Sequence, residues 1–600
     1  MPWLRRVAAV LADPRFSWLA AAIGVMLMTP ALTQGLELDD HLHRAWVEAG
    51  LHGHARGPWW DLFAITSGDA DHNRAAMEIG ASPWWTVPEL RLRFLRPLAA
   101  ATHWLDYAVW PEAAWWMHAQ NLAWYGALVF AVGRLLHRWL GGGWVAGLAT
   151  LLFAVDDAHA ITVGWIAQRN ALMSAVFVVL ALLAHDRARR DGWRPGRYWG
   201  PLTLALALAS GESAIAALGY LGAYALLVEP SLAGGDDSRG VRVRRALVAL
   251  WPLVSVVVAW RLAYEGLGYG AYGSGVYVDP VREWGTFVSL LPDRLAASCL
   301  ATLAWPSAET WAALPLPWTS ARRGAGLAVV LLVLALSPRL RRDRGLAACL
   351  LGAAAALLPT ATAAVSDRLL LLVGLGSSAA LAGVVAVAVD SELRWSGRAL
   401  ASVLAGPVVV VHLGLAAWTL PHTILERGAE IDAHEGRSAE GMPVDEALAQ
   451  QDLVLVNAPP TFVPSSMWFL PADDGRSLPR RVRTLGSTFG PVIVQRPDAQ
   501  SLVLQPVGGY FGDPFTTMVR GPAHPLRVGD RVELSTWSVE ILGVAHGRPT
   551  SVRVRFEAPL DDPSLRWMVW KQGRFVPFLL PPVGGVAAIP GVASVPSAPK

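Results

Sequence analysis

The number of long apolar stretches constrains the fold of this chain more than any other feature. A helix that crosses a bilayer needs about 20 mostly apolar residues. Eleven stretches approach or reach that length, although 198–210 and 324–338 are short; they cover residues 16–34, 114–136, 143–163, 170–186, 198–210, 212–229, 245–264, 324–338, 345–363, 367–389 and 399–420. The sequence therefore predicts an α-helical polytopic membrane protein with about 11 transmembrane helices.

The composition agrees with a membrane protein. Hydrophobic residues make up 54% of the 600 residues and charged residues only 16%, whereas soluble domains are about 25% charged. A net charge of +3 on so long a chain argues against a nucleic-acid partner. Nearly all the cations are Arg, and Ala and Val are abundant. This pattern is typical of a GC-rich bacterial genome and indicates a bacterial inner (cytoplasmic) membrane.

Arg-rich loops give the orientation of the chain. They lie at 185–197, 238–245, 338–345 and 392–398, and the positive-inside rule places them in the cytoplasm. Two crossings must separate the first pair of loops, so we expect a helix broken at Ser210–Gly211. We also expect a cytoplasmic N-terminus with an uncleaved first span. The apolar segment 286–304 would break the alternation, and it is interpreted as a re-entrant or interfacial helix. Many of the 29 Trp residues lie near predicted span boundaries and most are interpreted as interfacial; they include Trp59, Trp60, Trp84, Trp85, Trp115 and Trp116.

The character of the chain changes after residue 420. We divide it into a transmembrane domain at 1–420 (with a first exoplasmic loop at 35–113), a linker at 421–450, a β-rich periplasmic domain at 451–585 and a flexible tail at 586–600. Short runs of alternating apolar residues, separated by Gly, Pro and Asp, favour a small all-β domain over helices. An odd number of crossings from a cytoplasmic start places that domain in the periplasm.

Several ionisable groups fall on the periplasmic face. Such groups are expensive at membrane depth and usually face a cavity or one another. Taken alone, an Asp-Asp pair at a helix end is most often a cap or a solvated loop. An Arg before Pro is as well explained as an interfacial anchor. The candidates are Asp39, Asp40, Arg96, His118, His159, Arg169, Glu212, Asp367 and Arg368.

Five segments, in order, resemble a known family. They are ELDDHL (37–42), FLRPLAAATHWLDYAVWPEAAWWMHAQNLAWYGAL (94–128), LLFAVDDAHAITVGWIAQRNALMSAVF (151–177), GESAIAALGYLGAYALL (211–227) and VSDRLLLLVGLG (365–376). The chain here is similar to the polyprenyl-phosphate-sugar-dependent O-mannosyltransferases of the TMTC-like and PMT-like groups. The resemblance implies an inverting GT-C-type membrane glycosyltransferase with a polyprenyl-phosphate-linked sugar donor and a periplasmic protein, lipid or glycan acceptor.

The chemistry of such a transfer assigns roles to the candidates. A carboxylate takes the proton of the acceptor hydroxyl, and the pair Asp39 and Asp40 is expected to supply it. Of the two, Asp40 is preferred, because Asp39 is closer to the span and better placed to cap or pair. Arginine binds the lipid phosphate, which makes Arg368, Arg169 and Arg96 donor-binding candidates. The groups expected to orient the sugar phosphate are His118, His159, Glu212 and Asp367. Cys299 and Cys349 lack metal-ligand spacing, no metal site is predicted, no cofactor is certain, and a divalent cation is left open.

Some residues depart from the pattern of the family. Gly211 stands where the family has Lys, Ile161 where it has Glu, and Ala171 where it has Asp. The pair Asp156–Asp157 replaces His-Pro, and it either caps a hairpin or alters the site. These changes keep a second hypothesis open, a non-catalytic GT-C-like membrane scaffold or assembly subunit. A transporter is disfavoured, because the sequence has no internal repeat and only one clear helix break.

Overall fold

The computed structural model describes residues 2–54, 57–232, 239–314, 318–340, 343–389, 395–443, 445–460 and 478–591. The predicted tail beyond residue 591 and parts of three Arg-rich loops lie outside these residues. The α-helices of the membrane part are α1 (Pro2–Ala12), α2 (Phe16–Leu27), α3 (Asp39–Leu51), α4 (Ala70–Ile79), α5 (Pro97–Val109), α6 (Ala114–Trp139), α7 (Trp144–Ala154), α8 (Ala160–Gly164), α9 (Arg169–Arg190), α10 (Gly196–Ser210), α11 (Ala217–Leu227), α12 (Glu229–Leu232), α13 (Arg239–Gly266), α14 (Trp284–Leu303), α15 (Ala308–Ala313), α16 (Thr319–Leu340), α17 (Arg344–Thr360), α18 (Leu371–Val389), α19 (Trp395–Val409) and α20 (Ala416–Glu440).

Every apolar stretch predicted to span coincides with helix. Among the described residues, five helices are long and apolar enough to cross a membrane, and α7 with α8 makes a sixth if this pair, bent by 44°, is one span. The helix break predicted at Ser210–Gly211 is confirmed, since α10 ends at Ser210 and a 3₁₀ turn, Glu212–Ala216, precedes α11. Segment 286–304 lies within the single helix α14.

The membrane part has a buried apolar core and an outer face that carries exposed apolar side chains. Tyr125, Phe153, Leu172 and Leu375, from α6, α7, α9 and α18, share one buried apolar cluster. In contrast, α13 and the long helix formed by α19, a π-helical turn (Val410–Leu415) and α20 turn apolar side chains outward. These side chains are at least 65% exposed at Leu247, Trp251, Leu262, Val410 and Trp418. Exposed apolar side chains along these two helices suit lipid rather than water.

The predicted C-terminal β structure is confirmed. Its strands are β4 (Asp452–Leu455), β5 (Arg481–Thr484), β6 (Val492–Gln495), β7 (Ser501–Pro506), β8 (Arg531–Leu534), β9 (Trp537–Ala545), β10 (Arg548–Phe556), β11 (Leu565–Lys571), β12 (Arg574–Pro577) and β13 (Val586–Ile589), with one short helix, α21 (Pro514–Thr517). An antiparallel sheet has the order β13-β6-β7-β10-β9-β8, and a second sheet, β12-β11-β4-β5, contains parallel pairs. All four residues of β4 are buried, which is typical of a parallel strand covered on both faces.

Two of the predicted domain boundaries differ from the structure. The region 421–450, predicted as a linker, continues α20 to Glu440, so a helix connects the membrane part to the β region. Strand β13 pairs with β6 and extends the β region to Ile589, four residues into the predicted tail. The four residues Val-Ala-Ala-Ile lie between Gly and Pro and show no alternation of apolar and polar residues, so the sequence did not indicate a strand there.

The loop at 35–113, predicted to be exoplasmic, is not independent of the β region. A third sheet joins β1 (Ala64–Ser67) and β2 (Arg91–Arg93) of this loop to β3 (Gly270–Tyr272), which follows α13. Trp84 and Trp85, expected at the membrane interface, are instead buried in the β-region core. Trp59, Trp60, Trp115 and Trp116 are between 41% and 57% exposed, which suits the interface predicted for them.

Candidate functional site

A cavity of about 390 Å³ lies between the loop after the first span and the segments that precede α14 and α18. Its walls carry three arginines and three carboxylates, which are Arg96, Arg261, Arg368, Asp39, Glu212 and Asp279. Apolar residues, including Ile215, Ala216 and Leu372, line the rest of it. A largely apolar cavity with a few converging charged groups is the usual form of a small-molecule site.

The two aspartates of the acidic pair point to different places. Asp39 lines the cavity. Asp40 is fully buried away from it, and its carboxylate accepts hydrogen bonds from the backbone N–H of Ala167 (2.8 Å) and of Glu37 (3.0 Å). Adjacent residues on α3 cannot face the same side, since a helix turns by about 100° per residue. The preference for Asp40 over Asp39 as the base is therefore not supported. Asp40 instead stabilises the backbone around Glu37 and Ala167 through its two hydrogen bonds.

Burial raises the pKa of Asp39, and the nearby Arg368 and Arg96 lower it. A carboxylate with a raised pKa is a stronger base once it is ionised. Burial also raises the pKa of Asp40, to about 8, although its two backbone donors favour the ionised form. The pKa of both carboxyls is thus set first by desolvation.

Arg96 is held in a polar and aromatic cage at the edge of the cavity. Its Nε and Nη2 both lie 2.9 Å from Oε2 of Glu212. The guanidinium also stacks over Phe94 (4.7 Å to the ring centroid) and Phe63 (5.1 Å). When the amide of Asn170 is oriented to satisfy both neighbours, its oxygen accepts from Arg96 Nη1 at 3.2 Å. Arg96 therefore faces the cavity with its charge already balanced by Glu212.

Arg368 is different, because it forms no salt bridge with any described carboxylate. Its Nη2 donates to the hydroxyl of Tyr277 at 3.1 Å, and its guanidinium lies 5.7 Å from the Trp165 ring centroid. Arg261, the third cavity arginine, is paired with Asp279 at 3.0 Å. Arg368 is thus the cavity cation that, among the described residues, has charge left for an anionic ligand.

Besides Asp40, four of the sequence-predicted candidates do not line the cavity. Arg169 is fully buried, forms a salt bridge with Asp106, and donates to Asn121 Oδ1 at 2.9 Å. Its guanidinium joins α5, α6 and α9, so the structure does not support a donor-binding role. Arg169 and Arg368 both precede an apolar helix in the sequence, so sequence reasoning assigned them the same role. The structure distinguishes them, because Arg169 contacts Asp106.

The other three candidates form hydrogen bonds within the protein, outside the cavity. His118 Nε2 lies 3.2 Å from the carbonyl oxygen of Gly35, in the loop that leads to the acidic pair. His159 Nδ1 lies 3.1 Å from the hydroxyl of Tyr125. Asp367 accepts from the backbone N–H of Ala308 at 2.8 Å, at the start of α15. They hold elements together around the site and do not line it.

The pair Asp156–Asp157 caps the turn between α7 and α8. Asp156 accepts from the backbone N–H of Ala158 at 3.1 Å. Asp157 accepts from the hydroxyl of Thr419 at 2.9 Å and so fastens α20 to this turn. Of the two roles left open for this pair, these contacts are those of a cap. Ala171, by contrast, does line the cavity, at a position where the resembled family has Asp.

Sequence reasoning assigned no role to several polar residues that line the cavity, among them His43, Tyr277, Arg261 and Asp279. His43 lies four residues after Asp39, and this helical spacing could have indicated it. Tyr277 lies in a loop without a motif, and nothing in the sequence connects it to Arg368. The described residues contain no group of three His, Cys, Asp or Glu side chains placed to hold a metal ion.

The comparisons with known proteins give distant likenesses only. No protein-family model and no curated protein matches the sequence. Among solved structures, the chain is similar to ArnT from Cupriavidus metallidurans bound to undecaprenyl phosphate, at 13% identity and a TM-score of 0.36, over 77% of this chain and 84% of that one.

A second similar structure is the archaeal oligosaccharyltransferase AglB from Archaeoglobus fulgidus, in complex with an inhibitory peptide and a dolichol-phosphate. Its identity is 12% and its TM-score 0.40, over 79% of this chain and 65% of the archaeal one. Neither structure is described as an O-mannosyltransferase. Because these TM-scores are low, the function is argued below from the cavity itself.

Proposed function

We propose that this protein is a membrane glycosyltransferase that moves a sugar from a polyprenyl-phosphate carrier to an acceptor outside the cytoplasm. The observation that carries the proposal is the pair Asp39 and Arg368, a base and an unpaired cation that face one cavity. The resemblance of five ordered segments to lipid-phosphate-dependent O-mannosyltransferases points to the same chemistry.

The charges of the cavity suit a donor with one phosphate. Arg96 is paired with Glu212 and Arg261 with Asp279, so both pairs are close to neutral. Arg368 then supplies one positive charge for the phosphodiester of a polyprenyl-phosphate sugar, which carries one negative charge. A guanidinium suits this task because it stays charged and offers two parallel donors to phosphate oxygens.

The surroundings of the cavity suit the lipid part of the donor. Trp260, Arg261 and Tyr264 line the cavity from α13. The same helix exposes Leu247, Val248 and Trp251 along the outer face of the protein. A polyprenyl chain lying against this face would bring its phosphate to the cavity without burying isoprenoid units in a polar site.

Asp39 acts as the general base of the transfer. The acceptor hydroxyl gives its proton to the Asp39 carboxylate while its oxygen forms a bond to the anomeric carbon. The bond between that carbon and the phosphate oxygen breaks, and its electron pair leaves with the polyprenyl phosphate. Arg368 stabilises the charge that grows on this leaving group. A single displacement of this kind inverts the anomeric configuration.

The acceptor is a protein, lipid or glycan in the periplasm of a bacterium, with the chain in the inner membrane and its N-terminus in the cytoplasm. The β region is then on the acceptor side. Backbone hydrogen bonds join it to the cavity wall, from Gly275 N to Thr517 O (2.8 Å) and from Gly521 N to Gly273 O (2.8 Å). Their position supports a role for the β region in holding the acceptor next to Asp39.

The test is turnover of labelled polyprenyl-phosphate sugars by the purified full chain. We expect release of polyprenyl phosphate that depends on Asp39 and on Arg368. Retained turnover in both Asp39→Asn and Arg368→Gln would overturn the proposal. The alternative, a non-catalytic scaffold, predicts no turnover of any donor by the wild-type protein. The open cavity supports the enzyme, since a scaffold has no need to keep a charged cavity free of side chains.

A further inference from the structure

His43 has the position of a substrate contact that the proposed mechanism does not yet use. It lies on α3, four residues after Asp39, and residues at this spacing lie one above the other on a helix. Both side chains line the cavity. Phe63 holds the imidazole edge-on, with ring centroids 4.8 Å apart, and the His43 side chain is only 3% exposed.

The imidazole of His43 has no hydrogen bond to any described residue. Its Nδ1 is fully buried and has no partner. Buried polar atoms are almost always hydrogen-bonded, because an unsatisfied one loses its interaction with water and gains nothing in return. Asp40, three residues earlier on the same helix, follows this rule with two backbone partners. Nδ1 is shielded from the cavity, so the ring nitrogen open to a ligand there is Nε2, which has no hydrogen bond to a described residue.

The charge state of His43 restricts the kind of ligand. Burial and the nearby Arg96 lower its pKa to about 3, so the ring is neutral at physiological pH. A neutral imidazole offers one N–H donor and one acceptor nitrogen. It adds no charge for a phosphate, which Arg368 attracts instead. A hydroxyl is both donor and acceptor, so it can form a hydrogen bond with a ring nitrogen in either tautomer of the imidazole.

We propose that His43 hydrogen-bonds a hydroxyl of the substrate bound in the cavity and thereby determines specificity. The inference rests on the proposed function, and it names a contact to the polyol part of the reaction. The hydroxyl belongs to the transferred sugar or to the acceptor, and both have the same chemistry. A position one helical turn from the general base is within reach of either.

The experiment compares two lipids on the purified full chain. One is a polyprenyl-phosphate sugar that the wild type turns over, and the other is the same polyprenyl phosphate without sugar. The variants are His43→Leu, which removes both hydrogen-bonding atoms, and His43→Gln, which keeps a donor and an acceptor. His52→Leu is the matched control, since His52 is exposed directly after the same helix and bonds only to the carbonyl of Glu48 among described residues. Equilibrium binding and acceptor KM are measured for each.

If the hydroxyl is on the sugar, His43→Leu should weaken binding of the glycosylated lipid by roughly tenfold, the value of one neutral hydrogen bond. Binding of the bare polyprenyl phosphate should not change, and His43→Gln should recover part of the loss. If the hydroxyl is on the acceptor, donor binding should be unchanged while acceptor KM rises by a similar factor. Either result supports the proposal and identifies the source.

The proposal would be overturned if His43→Leu weakened the binding of both lipids equally. It would also be overturned if neither donor binding nor acceptor KM changed. Loss of folded protein in both His43→Leu and His43→Gln would also overturn it, because the ring would then serve packing alone. Failure of the proposed function looks different. In that case the wild type would bind neither lipid, and Arg368→Gln would have no effect to compare.

Discussion

Substituting the two aspartates of the acidic pair separately should affect two different properties. Substitution of Asp39 should lower activity, and substitution of Asp40 should lower stability. Asp39→Asn removes the base from the cavity and leaves a side chain of the same size. General-base catalysis contributes about 10²- to 10⁴-fold to a rate, so we expect turnover of the labelled donor to fall by roughly that factor. The thermal midpoint should stay within a few degrees of the wild type, because Asp39 makes no hydrogen bond to a described residue.

Asp40→Ala should do the reverse. It leaves the buried N–H groups of Ala167 and Glu37 without their acceptor. Each unsatisfied buried donor costs about 1–3 kcal/mol, so the free energy of unfolding should fall by roughly 2–5 kcal/mol for the pair. Asp40→Asn keeps one acceptor oxygen and should lose less. Turnover per folded molecule should remain above that of Asp39→Asn in both variants.

Two measurements on one preparation decide the matter. Release of labelled polyprenyl phosphate gives the rate, and intrinsic tryptophan fluorescence during unfolding in detergent gives the stability. Glu48→Gln on the same helix is a control, because its salt bridge with Arg44 is part-exposed and worth little. The reasoning would be refuted if Asp40→Asn abolished turnover at unchanged stability while Asp39→Asn kept full activity.

The remaining predictions concern the cation, the buried ion pair and the cavity wall. Arg368→Gln should weaken donor binding and, since Arg368 lowers the pKa of Asp39, should move the acid limb of the kcat/KM pH profile to higher pH. Arg169→Ala leaves a buried carboxylate unpaired, which should cost about 3–5 kcal/mol of stability without changing donor affinity per folded molecule. Gly521→Val should lower turnover without abolishing donor binding, because a Cβ there would lie 2.7 Å from the backbone oxygen of Ser274, three residues before Tyr277. Gly512→Ala is the control for that variant and should behave as the wild type, since a Cβ there would meet only Arg548 Nη1, at 3.9 Å.

The fold was predictable where a local pattern decides it. The apolar stretches became helices because each is long enough and apolar enough to require one. The β runs became strands because their alternation has a period of two residues. Strand β13 was missed since four residues between Gly and Pro carry too short a pattern. Buried Trp84 and Trp85 were missed because an aromatic pair reads the same at a membrane interface and in a protein core.

The site was predictable only in part, because tertiary contacts decide which charges are free. Arg169 and Arg368 each stand before an apolar helix and on the same side of the membrane. Arg169 meets Asp106 from α5, more than sixty residues away, and becomes structural. Arg368 meets a phenol, Tyr277, and keeps its charge available. No spacing rule connects either arginine to its partner, so the sequence could collect the candidates without ranking them.

The segment between α13 and α14 connects the β region to the membrane part next to the cavity. At Gly275 its backbone bonds to the β region, and at Val278 its N–H bonds to the carbonyl of Thr362 at the end of α17 (2.7 Å). Arg294 clamps the same stretch by donating to the carbonyls of Gly275 (3.2 Å) and Ala361 (2.8 Å). Tyr277 lies between these anchors and holds Arg368. Tyr277 is only two residues from Gly275, so we expect a shift of the β region that moves Gly275 to move the hydrogen-bond partner of Arg368 as well. If the proposed function holds, acceptor binding on the β region should therefore alter donor affinity.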